Sequence, residues 1–294
     1  MATSQASIAV SYQTILLATD FLQTTEAALP YVVSLARRFD ATVLATHAVS
    51  FDAMAGLAPI PPSVELDFEW RDAQEAMRTY EQGHPFTGLR HEFILERGDP
   101  CAVIADVVEQ RNVDMVVLGT HGRHGFRKLF IGSVAEEVMR SLPCPVLTVG
   151  PDVKLLEDEE WPRRILFATE FAEGSLHALP HALAIANANE AELFLLHTVP
   201  LVPWEQQSEL GVLYQQKLRK LVPDAAEQRC SIDGGICFDL AAPGILRTAQ
   251  VRKSDLIVMG AHHARLPKVD AHLLGTTSYE VISNAHCPVL TVCG

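Results

Sequence analysis

Two consecutive α/β domains, each a five-stranded parallel sheet with helices on both faces, are predicted by three features of this 294-residue sequence. Short apolar runs rich in β-branched residues alternate with segments whose apolar side chains recur at helical spacing, the pattern of buried parallel strands beneath covering helices. The pattern occurs twice. Ile15-Leu16-Leu17-Ala18-Thr19-Asp20-Phe21 reappears as Ile165-Leu166-Phe167-Ala168-Thr169-Glu170-Phe171, and Cys144-Pro145-Val146-Leu147-Thr148-Val149 as Cys287-Pro288-Val289-Leu290-Thr291-Val292. Between the copies, Pro151 to Pro162 carries Glu157, Asp158, Glu159 and Glu160 in succession, the composition of a linker, and sets the domain limits at residues 1–150 and 151–294.

In the first copy, strands are expected at Ile15 to Ala18, Thr42 to Val49, Glu92 to Leu95, Met115 to Leu118 and Val146 to Val149. Ala28, Leu29, Val32, Leu35, Ala36 and Phe39 share one helical face, and Val103, Ile104, Val107 and Val108 share another. Pro100 suits the first turn of that second helix, with Asp99 as its N-cap. Pro59, Pro61 and Pro62 mark a loop from Ser50 to Val64 that feeds a polar surface helix from Glu65 to Gln82. In the second copy Pro200 and Pro203 precede a comparable helix from Gln206 to Leu221. His47-Ala48-Val49 returns as His197-Thr198-Val199, and Asp114-Met115-Val116-Val117-Leu118-Gly119 as Asp255-Leu256-Ile257-Val258-Met259-Gly260.

Composition narrows the function. A formal net charge of −13 opposes binding to nucleic acid or to an anionic membrane surface, and no basic run overrides it. No apolar stretch approaches the roughly 18 to 20 residues needed to span a bilayer. The first residues, Met-Ala-Thr-Ser-Gln-Ala-Ser, lack the basic and apolar regions of a signal peptide, so a cytoplasmic location is expected. The six cysteines show no CxxC spacing, and Cys144 and Cys287, at matching repeat positions, read as small buried packing residues.

The most informative stretch is Gly119-Thr-His-Gly122-Arg-His-Gly-Phe-Arg-Lys-Leu-Phe-Ile-Gly132-Ser133, which follows one strand and opens a helix. Glycine lets backbone N–H groups approach an anion, and a helix N-terminus adds unpaired donors with a favourable dipole. The same glycines also serve a tight turn without any ligand. No Gly-Lys-Ser/Thr follows, which excludes a Walker A loop, and no GxGxxG opens the first helix. In an open parallel sheet, ligands sit beyond the carboxyl ends of the strands where strand order reverses, so Thr19, Asp20, Val49 and Gly119 are expected around one ligand.

GxxG, nine residues, then Gly-Ser resembles the ATP-binding signature of the universal stress protein family. The resemblance implies Rossmann-like domains of the adenine nucleotide alpha hydrolase type. It implies binding of ATP with Mg²⁺, the phosphates lying on Gly119, Gly122, Gly132, Ser133 and Val134. Arg123 and His124 fill the variable part of the loop. Asp20 matches the acidic residue beside ribose, phosphate and metal, which makes it the candidate Mg²⁺ ligand, with a capping or solvated loop aspartate as the alternative. Val49 matches the residue whose backbone meets the adenine edge. His47 and His197, inside apolar strands without a serine, cysteine or carboxylate at useful spacing, read as core or wall residues rather than catalytic bases.

The second copy departs from this pattern. Asp20 becomes Glu170, Gly122 becomes His263, and the interval before Gly275-Thr276 grows from nine residues to eleven, so a degenerate second site is expected. His262, His263, Asp270 and His272 are potential metal ligands in a spacing that matches no familiar zinc pattern, and a solvated polar loop is the simpler reading. Three functions follow: a nucleotide-binding stress or regulatory protein that modulates a protein partner, a slow ATP hydrolase, and a nucleotide-independent scaffold. The resemblance also implies that the last strands, Pro145 to Val149 and Pro288 to Val292, pair as an internal pseudo-dimer, which leaves other surfaces for a homodimer.

Overall fold

The computed structural model describes residues 10–21, 27–50, 62–120, 131–153, 156, 161–222, 229–261 and 276–293. The first repeat contains β1 (Thr14–Ala18), α1 (Leu29–Phe39), β2 (Thr42–Val49), α2 (Pro62–Gln82), β3 (His91–Arg97), α3 (Pro100–Arg111), β4 (Met115–Gly119), α4 (Ser133–Ser141) and β5 (Val146–Val149). The second contains β6 (Arg164–Ala168), α5 (Glu173–Leu176), α6 (Leu179–Asn189), β7 (Glu192–Val199), α7 (Trp204–Arg219), β8 (Ser231–Phe238), α8 (Ala241–Arg252), β9 (Leu256–Ala261), α9 (Thr277–Asn284) and β10 (Val289–Cys293). Local chemistry sets several boundaries. The Asp99 carboxylate accepts the N–H groups of Cys101 and Ala102, both at 3.0 Å, and Pro100 needs no donor at the first turn of α3. α1 ends where Asp40 turns left-handed (φ 51°), with Arg37 and Arg38 in its last turn opposing the negative end of the helix dipole.

Ten strands form one sheet in the order β3-β2-β1-β4-β5-β10-β9-β6-β7-β8. Pairing is parallel within each repeat, and the repeats meet through an antiparallel β5–β10 pair that aligns Thr148 with Val289, Leu147 with Leu290 and Val146 with Thr291. The pairing expected between the two final strands is therefore present, and it merges two five-stranded sheets into one. Thr148 and Thr291 fasten the junction reciprocally: each hydroxyl donates across it, to the Val289 and Val146 carbonyls at 3.1 and 3.2 Å. Period-two alternation distributes the strand side chains to two apolar layers that both continue across this junction. Ile15, Leu17 and Val43 lie with Ile165, Phe167 and Leu193 under α1 and α6. Leu16, Val116 and Val146 lie with Leu166, Ile257 and Val289 under α3, α4, α8 and α9.

Cys144 and Cys287 are buried in the second layer as unpaired thiols. Burial pushes the Cys144 thiol up to about 11 and raises that of Cys287 further, the behaviour of packing residues rather than reactive ones. β3 runs from His91 to Arg97, beyond the Glu92–Leu95 core of its pattern, because an edge strand with exposed ends carries polar residues there. Among the described residues, no helix is long and apolar enough to cross a membrane.

The first layer also ties the repeats together through polar contacts. The Tyr12 phenol and His181 Nδ1 share a hydrogen bond of 2.8 Å, Ser34 donates to the Trp161 carbonyl at 2.9 Å, and the Tyr31 and Trp161 rings meet edge to face. Burial lowers the His181 imidazole from 6.5 to about 4, because the charged ring would lose its hydration. Between those values the unfolded chain binds a proton that the folded chain does not, so this contribution to stability is complete above the unfolded value and declines as pH falls. Wild-type stability should drop by about 2 kcal/mol from this source between pH 7 and pH 5. Urea unfolding of wild type and His181→Gln at both values checks it, with a smaller acid loss expected in the variant.

In the second repeat, the chain packs directly on Gly260 at the end of β9. A Cβ there would lie 2.5 Å from both the Gly174 carbonyl oxygen and the Ser175 Cα of α5, so a side chain must displace backbone. Gly211, within α7, has open space around it. Gly260→Ala should destabilise the protein by about 2 kcal/mol through overpacking, whereas Gly211→Ala should stabilise it by up to about 1 kcal/mol through helix propensity. Denaturant midpoints of the two variants provide the comparison.

Candidate functional site

Strand order reverses direction of growth between β1 and β4, with β2 on the far side of β1, and the carboxyl ends of β1 and β4 open a crevice there. A cavity of about 260 Å³ occupies it. Thr19 and Asp20 line it from the end of β1, Thr46, His47 and Ala48 from β2, Gly119 and Thr120 from β4, and Gly132, Ser133 and Val134 from the start of α4. Pro100 and Ile104 of α3 complete the wall.

Asp20 is held at this edge by a small hydrogen-bonded turn. Thr19 N–H donates to the Thr46 carbonyl at 3.0 Å, and the Thr19 hydroxyl oxygen accepts the Phe21 N–H at 2.8 Å, which holds Phe21 in a left-handed conformation (φ 56°). His47 Nδ1 lies 2.8 Å from the Thr19 carbonyl, and since a carbonyl only accepts, Nδ1 carries the proton. The Phe21 ring meets the His47 ring edge-on at 5.5 Å. The second repeat reproduces every part: Thr169 accepts from Phe171 N–H at 3.0 Å, Phe171 has φ 64°, and His197 Nδ1 lies 2.8 Å from the Thr169 carbonyl. Burial lowers the pKa of His197. Both histidines brace the turn after the first strand of their repeat, His47 on the cavity wall and His197 buried behind its own, in keeping with their positions inside apolar strands.

The opposite wall is built from main chain. Thr120 N–H donates to the Val149 carbonyl at 3.0 Å, and Gly132 N–H returns to the Thr120 carbonyl at 2.8 Å, which sets the start of α4 beside the end of β4. A Cβ on Gly132 would sit 3.2 Å from the Thr120 oxygen, closer than ordinary contact, so glycine permits this approach. Gly132 is also the N-cap of α4 and supplies no side-chain acceptor, so the first-turn N–H groups of Ser133, Val134 and Ala135 start the helix without a side-chain cap at the cavity wall. A helix start of this kind favours an anion through its donors and its dipole.

The corresponding crevice between β6 and β9 holds a cavity of about 190 Å³ with different chemistry. Glu170 replaces Asp20 and Leu196 replaces Thr46. α9 begins one residue later than α4, with Thr276 as N-cap, and the Thr276 hydroxyl oxygen accepts the Tyr279 N–H at 3.2 Å. Here the chain caps its own helix. The wall also includes Met139 and Arg140 from α4 of the first repeat. In return, the Tyr279 hydroxyl reaches the Ile131 N–H at 3.4 Å, directly before Gly132. Each repeat thus contributes to the surroundings of the other's crevice.

Of the residues singled out from sequence, Thr19, Asp20, Gly119, Gly132, Ser133 and Val134 come together around the first cavity. Val49 stands apart: it is buried, its carbonyl accepts the Gly98 N–H at 3.1 Å, and Ala48 takes the place on the wall. Gly122, Arg123 and His124 lie outside the described residues, as do His262, His263, Asp270 and His272. Thr46, Ala48, Thr120, Pro100 and Ile104 were not picked out by the motif. Thr46 did carry a signal, as a polar residue inside an apolar strand whose counterpart in the repeat is Leu196.

Comparison with known proteins agrees with this architecture. The model of the universal stress protein family matches the chain twice, over residues 11–150 and 162–292. A universal stress protein of Methanocaldococcus jannaschii is 31% identical over 140 residues, covering 47% of this chain and 82% of its own length. Universal stress protein E of Escherichia coli is 41% identical over 70 residues, covering 22% of each chain. The crystal structure of a universal stress protein from Archaeoglobus fulgidus superposes with a TM-score of 0.75 at 21% identity, covering 96% of this chain and 97% of that one, a likeness of fold. The chain belongs to the universal stress protein family and carries two copies of its domain in tandem.

Proposed function

We propose that the first repeat binds ATP with Mg²⁺, that the second repeat has lost polyphosphate binding, and that nucleotide occupancy modulates a protein partner in a cytoplasmic stress or regulatory role. The observation that carries this reading is the contrast in helix starts: Gly132 leaves the first turn of α4 without a side-chain cap at the cavity, while Thr276 caps α9 with its own hydroxyl. The residues suit the ligand. Glycine at 132 lets the helix start lie against the Thr120 carbonyl at the cavity wall, the Ser133 hydroxyl adds a donor, and Asp20 offers an oxygen ligand. Among the described residues, no group of three or more His, Cys, Asp or Glu side chains forms a ready-made metal cage. Magnesium would accordingly be held by Asp20 together with phosphate oxygens and water, which fits its preference for oxygen donors. The bound metal would supply charge neutralisation for the phosphates, while the chain's own groups orient the nucleotide.

Slow ATP hydrolysis receives less support. Proton transfer needs a group within reach of the reacting oxygen, and beyond Asp20, His121 and His124 the phosphate-loop sequence offers no general base. A nucleotide-independent scaffold leaves the uncapped helix start at a cavity wall without a role. Six unpaired thiols accord with a reducing compartment.

Calorimetric titration of the full chain with ATP and Mg²⁺ should give one site per chain, and either no binding or two equal sites would overturn the proposal. Gly132→Val, which crowds the Thr120 carbonyl and so displaces the start of α4, should weaken ATP binding by about tenfold or more. Ser133→Ala should weaken ATP by a few fold and leave adenosine unaffected, since the hydroxyl serves the phosphate end.

A further inference from the structure

We propose that Thr46 reads the polar edge of the nucleobase in the first cavity, an inference that rests on the nucleotide reading above and extends it to specificity. Thr46 is 2% exposed and lines the cavity, and among the described residues its hydroxyl has no hydrogen-bond partner. A buried hydroxyl without a partner is costly, and it persists where a ligand or an ordered water completes it. Its main chain is fully employed, since its carbonyl accepts the Thr19 N–H and its residue pairs with Ala18 in the sheet, so the side chain alone remains to meet a ligand.

Strand order identifies which part of the ligand it meets. The uncapped start of α4 and the end of β4 lie on one side of β1, and Thr46 on β2 lies on the other. With phosphates on the α4 side and Asp20 at the end of β1 between them, the base occupies the β2 side. A purine edge presents both donors and acceptors, and a threonine hydroxyl complements either. The second repeat places Leu196 at this position and so presents an apolar wall.

Thr46→Val keeps the shape and removes only the hydroxyl, and it separates two effects. Without ligand the variant should melt a few degrees higher than wild type, because a methyl replaces an unpartnered buried hydroxyl. ATP and adenosine should both bind about tenfold more weakly, because the base edge loses its partner. Thr46→Ser should restore most of the affinity. A purely structural hydroxyl would instead lower the melting temperature and leave the ratio of adenosine to inosine affinity unchanged, whereas the proposal expects that ratio to shift in Thr46→Val. Equal affinities of wild type and Thr46→Val for adenosine overturn this inference while leaving the ATP reading intact. Failure of wild type to bind either ATP or adenosine overturns both.

Discussion

The start of α4 is the constraint on which the site depends. A helix leaves its first N–H groups without intrahelical acceptors, and a protein must cap them, hydrate them or give them to a ligand. Gly132 gives α4 no side-chain acceptor and sits against the Thr120 carbonyl where a larger residue would crowd. The donors of the first turn consequently meet the same cavity as Asp20 and the end of β4. In the second repeat the helix starts one residue later, at a threonine whose hydroxyl satisfies one of those donors from within the chain. One shift of a helix boundary separates a helix start without a side-chain cap from one that the chain caps itself.

The joined sheet makes the two crevices neighbours in a single body. β5 and β10 pair antiparallel, and the apolar layers continue across them. α4 presents its first turn to the first cavity and Met139 and Arg140, near its other end, to the second. Tyr279 lines the second cavity and reaches back to Ile131, beside Gly132. α4 with the Tyr279 contact is thus a continuous physical connection between the two crevices. The Tyr12–His181 and Ser34–Trp161 bonds fasten the other layer, so the repeats are held on both faces of the sheet.

Much of this was legible in the sequence because its signals are local or repeated. Alternating apolar strands and amphipathic helices give the parallel sheet, and the duplication of Ile15 to Phe21 at Ile165 to Phe171 gives its doubling. Proline before each final strand and the family resemblance pointed to the β5–β10 pairing. Asp20, Gly119, Gly132 and Ser133 come together because a parallel sheet delivers strand ends to one edge. What escaped depends on register and on contacts distant in sequence. Whether Ala48 or Val49 faces the cavity turns on a single residue of alternation, which the apolar run Thr42 to Val49 does not mark. The Tyr279–Ile131 contact spans 148 positions and has no sequence signature. Thr46 could have been noticed by comparing the repeats, since Leu196 faces it in the alignment, but a lone threonine in a strand is an ordinary residue until its hydroxyl is found buried and unpartnered.

Amide NMR of the isotope-labelled full chain, titrated with ATP and Mg²⁺, observes the helix-start donors themselves. Large saturable shifts are expected for the amides of Ser133, Val134 and Ala135, with those of Thr277 and Ser278 essentially stationary. Nucleotide binding that leaves the α4 amides unmoved, or that moves the α9 amides equally, would contradict this role for the start of α4.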